Sequence, residues 1–274
     1  MTFFQAIVYG VVQGLTEFLP ISSTAHLRIV PALAGWDDPG APFTAVIQLG
    51  TTLAIVVYFW RELLNVTVGW LRGLFDKSAR GSLESRYGWY LIAATIPIGL
   101  LGVLFRHQIE TSARNLWVIA ITLIVIGVVI AVAERIASRH RSEEELLGSD
   151  AAFVGTAQVL SLIPGASRSG VTIAAGLLRG LDRSTAARFS FLLSVPAVVL
   201  SGAFEARKIG GAGKPSVGIT GLALILAFVV GLASIAWLMR WVSKHSMYLF
   251  VWYRLGMGVL LIALLSTSVV AAKP

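Results

Sequence analysis

The stretch QGLTEFLPISSTAH, Gln13 to His26, decides how this chain is read. It gathers a carboxylate, four hydroxyls, an imidazole and a helix-breaking proline within an apolar run. On a helix ending at Pro20, Gln13 and Glu17 stand four residues apart and project from one face. After the break come Ser22, Ser23, Thr24 and His26, at the start of a helix resuming near Ala25. One of the hydroxyls serves as its N-cap.

The surroundings are those of a membrane protein. The 274 residues are 56% hydrophobic and 13% charged, with a mean hydropathy of +0.80, whereas a soluble domain carries about 25% charged residues. Apolar runs of the roughly 17 to 25 residues needed to cross a bilayer lie at Phe43–Trp60, Tyr87–Phe105, Asn115–Ala133, Pro215–Met239 and Tyr248–Val270. Phe189–Phe204, continuing from Ser184, makes a sixth. Two more apolar segments, Phe3–Leu33 and Ala151–Leu181, are interrupted at FLPISSTAH and LIPGASRSG. A helix broken at membrane depth frees backbone groups that lipid cannot satisfy, so the break must line a protein cavity. The expected fold is therefore an all-α polytopic membrane protein with six transmembrane helices and two re-entrant helical hairpins.

The two halves echo each other. With an offset of 144, Pro20 falls on Pro164 and Ser23 on Ser167; with an offset of 146, Phe43 falls on Phe189 and Arg61 on Arg207. One hairpin followed by three spans in each half is an odd number of crossings, so the second half enters from the opposite side. That predicts an inverted-topology repeat with a site between the paired broken helices. Repeat one covers about 1–134, the connector 135–150 and repeat two about 151–274, in a single integral domain.

Counting Lys and Arg orients the chain. Thirteen, from Arg61 to Lys244, lie on one side; seven, Arg28, Arg106, Arg114, Arg207, Lys208, Lys214 and Lys273, lie on the other. The richer side is cytoplasmic, which puts both termini and the mouth of the first hairpin on the outer face of the membrane. The loop Arg61–Arg86 has room for an interfacial amphipathic helix around NVTVGWLRGLF, and RHRSEEELLGSD reads as a solvated connector. The N-terminus MTFFQAIVYG lacks a basic n-region and is expected to be retained. The net charge of +8 sits in short loops, which favours anionic lipid as partner over nucleic acid. The chain has no cysteine, which excludes disulfides and thiolate metal sites.

Glu17 is the carboxylate of the first hairpin, and an intramembrane acid marks a functional site by default; the competing reading is a structural ion pair with a nearby Arg. Ser23, His26 and Glu17 supply a nucleophile, a base and an acidic orienter within one chain reversal. In the second hairpin, PGASRSG, Pro164 to Gly170, lets backbone amides face one concavity at a helix start, an anion nest. Arg168 sits within it, able to grip phosphate bidentately, with Ser167, Ser169 and Gly170 beside it and Ser22 and Thr24 facing from the first hairpin. Arg254, in FVWYRLG, either joins the phosphate site or pairs with a buried acid. His107, His140 and His245 read as solvated, and Asp37 and Asp38 as a turn. The soluble-enzyme signatures, a P-loop, a His-Glu-x-x-His or a dinucleotide fingerprint, do not occur. A membrane-embedded anion site of phosphate type, surrounded by spans, points to a lipid phosphate as substrate.

On QGLTEFLPISSTAH, PGASRSG, FSFLLSVP and the YR near the C-terminus, the chain resembles the undecaprenyl-pyrophosphate phosphatases of the bacitracin-resistance family over nearly its whole length. The resemblance implies dephosphorylation of undecaprenyl pyrophosphate to the monophosphate on the outer face, recycling the lipid carrier of peptidoglycan synthesis, assisted by a divalent cation such as Mg²⁺ or Ca²⁺. It puts the family's acidic pair on Gln13 and Glu17 as metal-binding positions, its serine on Ser23, its histidine on His26 and its arginine on Arg168. Gln13 departs from the better-known members, which carry Glu there. A homodimer is compatible with this reading.

The expected mechanism has Arg168 and the Ser167–Gly170 amides bind the pyrophosphate while Ser23 attacks the terminal phosphorus. His26 shuttles the proton and Glu17 orients His26 or holds the metal; His26 as nucleophile is the variant left open. The rival is a lipid-phosphate flippase or anion transporter without hydrolysis, whose architecture inverted repeats also serve.

Overall fold

The computed structural model describes residues 1–105, 108, 115–206 and 216–272. The expected outer-side cations Arg106, Arg114, Arg207, Lys208, Lys214 and Lys273, and the loop residue His107, lie outside the described residues.

Helix α1 (Phe3–Thr16) opens with a capping box between Thr2 and Gln5, which satisfies two of the amide donors a helix start leaves over. After a turn, α2 (Ser23–Ala34) runs to Gly35, whose φ of 67° is the left-handed close that glycine accepts. These two helices are the first hairpin. Helix α3 (Gly40–Tyr58) leads through Phe59 into α4 (Trp60–Phe75), bent by 78° from it. A helix thus covers NVTVGWLRGLF and is longer than that stretch. Helices α5 (Leu83–Leu104) and α6 (Leu116–Ile136) complete the first half, capped by Ser82 and Asn115.

In the second half, α7 (Gly148–Gln158) continues into a 3₁₀ turn, Val159–Leu162, and after the break α8 (Arg168–Leu178) begins. Helices α9 (Arg183–Ala206), α10 (Val217–Val242) and α11 (Tyr248–Ser266) follow. Among the described residues α5, α6, α10 and α11 are long and apolar enough to cross a membrane, and the bent pair α3–α4 makes a fifth candidate. The 21 residues of α6 span about 32 Å at 1.5 Å per residue, which matches the hydrocarbon core. Val125, Val128 and Val132 on α6, and Ile225 and Val229 on α10, are exposed. A stripe of β-branched side chains open on a helix suits lipid, not water.

Each hairpin packs on a long helix of the other half: α1 lies on α10, and α7 lies on α5. Both contacts are close enough to require glycine. A Cβ at Gly10 would fall 2.5 Å from the carbonyl of Ala223, and one at Gly155 would fall 2.5 Å from Cα of Ala94. Helices α3 and α9 meet directly, as do α6 and α11.

The connector exposes Glu144 and Glu145 as a solvated segment would, and it is fastened as well. Arg141 and Leu181 form a parallel bridge, with the Arg141 amide donating to the Gly180 carbonyl at 3.1 Å and Asp182 donating back at 2.9 Å. Fully buried Asp150 accepts from Arg141 at 2.6 Å and from Arg179 at 2.7 Å. Burial pushes the Asp150 carboxyl up, but the Arg141 hydrogen bonds, the Leu147 amide and Arg179 outweigh it and hold it below its ordinary 3.8. Glu134 ties Arg139 and Arg183 in the same way, and Arg188 links Glu62 with Glu143. A periodicity argument sees charged residues as solvent-facing; it has no access to partners brought from α7, α8 and α9. His140 and His245 are exposed, as expected, although His245 stacks on Trp241.

Candidate active site

The two broken hairpins meet break to break. At each, one serine takes a backbone conformation unusual for a residue with a Cβ: Ser22 at φ 78°, ψ 103° and Ser167 at φ 70°, ψ 115°. Strain of this kind persists where surroundings over-determine it. Here each serine caps the helix it opens, accepting from Ala25 N at 3.3 Å and from Gly170 N at 3.1 Å. Each also shares a hydrogen bond with the hydroxyl two residues on, Thr24 and Ser169, both at 3.1 Å. The hairpins are therefore equivalent with an offset of 145: Ser22 matches Ser167, where an offset of 144 placed Ser23 on it.

Glu17 is the centre. It is 8% exposed, and its carboxylate accepts four hydrogen bonds: from Ser23 Oγ at 2.6 Å, Gln48 Nε2 at 2.9 Å, Gln13 Nε2 at 3.0 Å and Arg168 Nη2 in a short ion pair. Ser23, Gln48 and Arg168 are half-buried at the rim, Thr24 is exposed, and Glu17, Gln13 and His26 form the floor. The carboxylate thus joins both hairpins and α3.

His26 faces elsewhere. Its Nδ1 lies 2.7 Å from the Ser22 carbonyl and its Nε2 lies 2.7 Å from the Tyr253 hydroxyl, with the two rings stacked at 5.6 Å. A carbonyl only accepts, so Nδ1 carries hydrogen. Neither ring nitrogen is hydrogen-bonded to Ser23 or Glu17, so the arrangement differs from the expected order in which Glu17 orients His26 and His26 activates Ser23.

Of the expected phosphate ligands, Arg168 and Thr24 reach the rim. Ser22 and Ser167 are occupied as caps, the Gly170 amide is taken by Ser167, and Ser169 donates to the Leu19 and Glu17 carbonyls at 3.3 and 3.4 Å. First-turn amides have no carbonyl four residues back to bond, so with that of Gly170 taken, those of Arg168 and Ser169 remain for an anion. Both opening helices also point their positive ends at the site.

Arg254 does neither of the things expected of it. Fully buried, it donates to the Pro20 carbonyl at 3.0 Å and the Gly165 carbonyl at 2.7 Å, and also to Ala166, Thr122 and Leu123 at 3.2 to 3.4 Å. Pro20 and Gly165 are themselves 145 apart, so one guanidinium satisfies the matching freed carbonyl of each break. Carbonyls released at a helix break in an apolar interior need such a donor.

Sequence reasoning missed Gln48, Thr51 and Tyr253. Gln48 had a signal, being an amide within the apolar run Phe43–Trp60. Tyr253 had only its place beside Arg254.

This fold and site define a class: a helical membrane protein with a serine, a carboxylate and an arginine assembled between two broken hairpins. The chain belongs to the bacitracin resistance protein BacA family, whose model matches residues 6–260. It is similar to the undecaprenyl-diphosphatase of Thermobifida fusca (strain YX), 47% identical over 273 residues covering 100% of this chain and 94% of the relative. It is likewise similar to the undecaprenyl-diphosphatases of Mycobacterium sp. (strain KMS), 51% identical over 276 residues, 99% of this chain and 100% of the relative, and of Nocardioides sp. (strain ATCC BAA-499 / JS614), 48% identical over 271 residues, 98% and 99%.

Proposed function

We propose that this protein hydrolyses undecaprenyl pyrophosphate to undecaprenyl phosphate and inorganic phosphate at the outer face of the bacterial plasma membrane, returning the carrier to peptidoglycan synthesis. The observation that carries the reading is Ser23 Oγ donating to Glu17 at 2.6 Å beside Arg168. It rests also on relatives that are named for this reaction and cover the chain from end to end.

In this mechanism Arg168 and the first-turn amides of α8 hold the terminal phosphate and take up the charge that develops on its oxygens. Ser23 Oγ attacks the terminal phosphorus and its proton passes to Glu17, 2.6 Å away. The bond from phosphorus to the bridging oxygen breaks, and undecaprenyl phosphate leaves. Water then attacks the phosphoserine, Ser23 departs with a proton returned by Glu17, and inorganic phosphate is released. His26 takes no proton in these steps: its Nε2 accepts from the Tyr253 hydroxyl, and the pair braces the helix that carries Ser23.

The finer architecture belongs to the same proposal: six spans, α3, α5, α6, α9, α10 and α11, in an inverted repeat around two re-entrant hairpins. Its support is the common offset of 145, which pairs Gly10 with Gly155, Gln13 with Gln158, Ser22 with Ser167 and the first residues of α2 and α8. The reciprocal packing of α1 on α10 and α7 on α5 fits the same two-fold relation. Both termini then face outward. Because the chain has no cysteine, single substitutions Lys77→Cys and Ala271→Cys report sidedness: an impermeant thiol reagent applied to whole cells should label the second and spare the first.

The rival is a transporter of lipid phosphates without hydrolysis. Moving an anion needs Arg168 and the helix starts, but not a hydroxyl bonded to a carboxylate. Purified protein in detergent should release phosphate from undecaprenyl pyrophosphate, and no release with or without added Mg²⁺ or Ca²⁺ would sink the phosphatase reading.

A further inference from the structure

Gln13 is where the chain departs from the pattern of an acidic pair, and its surroundings explain what that departure does. A carboxylate offers about four lone-pair positions, two on each oxygen. At Glu17 each is met by a protein donor: Gln48 and Arg168 on Oε1, Gln13 and Ser23 on Oε2. Gln13 cannot turn its carbonyl toward Glu17, because Thr51 fixes the amide. The Thr51 hydroxyl donates to the Gln48 carbonyl at 2.8 Å, so it is an acceptor for Gln13 Nε2 at 3.3 Å. The flipped amide would set Oε1 against a carboxylate oxygen and an oxygen lone pair together. Gln48 is held likewise, since a carboxylate only accepts.

Mg²⁺ asks for six oxygens and Ca²⁺ for six to eight, with carboxylates prominent among them. The donor set here is one carboxylate already neutralised by Arg168, and among the described residues no three His, Asp or Glu side chains converge on a metal-sized space. A cation could reach Glu17 only by displacing one of its four donors: Arg168 or Ser23, which bind and attack the phosphate, or the amides of Gln13 and Gln48. With Glu at position 13 the balance differs: two carboxylates one helical turn apart repel, Arg168 offsets one, and a divalent ion offsets the other.

We propose that this chain has no resident divalent cation, and that Gln13, by donating to Glu17 in place of a second carboxylate, holds Glu17 as the base for Ser23 while Arg168 alone supplies the positive charge. This rests on the phosphatase reading for its chemistry, but the cation site can be tested without turnover.

The experiment titrates Mn²⁺, as an EPR-visible probe of a Mg²⁺ site, into chelator-stripped protein in detergent without substrate, comparing wild type, Glu17→Gln, Gln13→Glu and the double variant Gln13→Glu/Glu17→Gln. Wild type should bind no stoichiometric Mn²⁺ up to about 1 mM, whereas Gln13→Glu should bind one per chain at least about tenfold more tightly and the double variant should lose it. In parallel, EDTA should leave wild-type phosphate release within about twofold and lower that of Gln13→Glu by about tenfold or more. Wild-type turnover lost in EDTA overturns the statement that Arg168 alone supplies the positive charge, even with Mn²⁺ unbound in the absence of substrate, since the ion then arrives on the pyrophosphate. One Mn²⁺ bound to wild type and lost in Glu17→Gln overturns it, and this arm stands even if Gln13→Glu does not fold. Absence of phosphate release from every variant would strike the phosphatase reading and leave the Mn²⁺ result to decide the site.

Discussion

Ser23 donates its hydroxyl to Glu17 at 2.6 Å, and His26, three residues further along the same helix, turns away from both. The hydroxyl and the carboxylate that accepts from it therefore come from opposite sides of the break at Pro20, and the helix that carries Ser23 does not also carry its acceptor. Ser23→Ala should lower kcat by about 10³-fold or more with the fold intact, and Glu17→Gln by about 10²- to 10⁴-fold. Phosphate release from purified variants, with melting temperature as the control, measures both; near-normal turnover by Ser23→Ala would remove the serine from the mechanism.

Both nitrogens of His26 are engaged, by the Ser22 carbonyl and the Tyr253 hydroxyl. An imidazole so held has no free lone pair for phosphorus. Rapid-quench trapping with labelled substrate should therefore yield phosphoserine and no acid-labile phosphohistidine. Tyr253→Phe, which unpairs Nε2 without moving the ring, should reduce kcat by about threefold to tenfold.

Arg168 reaches the rim through a planar fork that lysine cannot copy. Arg168→Lys keeps the charge and should still cost about 10²-fold in kcat/KM, because one of two aligned donors to the phosphate is lost. Equal kinetics for the lysine variant would mean that charge alone matters at this position.

Arg254 bridges Pro20 and Gly165, and its removal leaves carbonyls of both breaks without a donor. Arg254→Met should destabilise the protein by about 3 kcal/mol or more, in line with loss of a buried charged hydrogen-bond centre. Arg254→Lys, able to reach some of these carbonyls, should fall between. Thermal unfolding in one detergent ranks the three proteins.

The carboxyl of Asp150 is held below its ordinary 3.8 by Arg141 and Arg179 despite burial. A group with a lowered folded value stabilises fully above its unfolded value and loses that contribution as pH falls through the folded one. Melting temperature should thus hold from neutral pH down to about 4 and drop below it. Asp150→Asn should lose about 2 kcal/mol at pH 7, discounted because both arginines are partly exposed, and should flatten the acid drop.

Much of this molecule is written in local sequence. The polar breaks at Pro20 and Pro164 within apolar runs announce two hairpins, because lipid tolerates freed backbone groups only around a protein cavity. Glu17, Ser23 and Arg168 follow as site residues, since each is costly in an apolar interior unless it has a partner or a task. The partners themselves were not legible. Spacing along α2 put Ser23 and His26 on related faces, but Tyr253, 227 residues away, claims the imidazole, and contacts between distant segments leave no periodic trace.

The sequence by itself determined the membrane class, the two breaks and the chemical groups gathered at them, through hydropathy and the cost of burying polar atoms. Only the tertiary structure decided who bonds to whom. It seated Gln48 and Gln13 on Glu17, fixed the register of the hairpins at Ser22 and Ser167, and turned Arg254 from a phosphate ligand into the strut between them. The reason is physical: a buried donor or acceptor must find a partner, and which partner it finds depends on helices that meet only when the chain has folded.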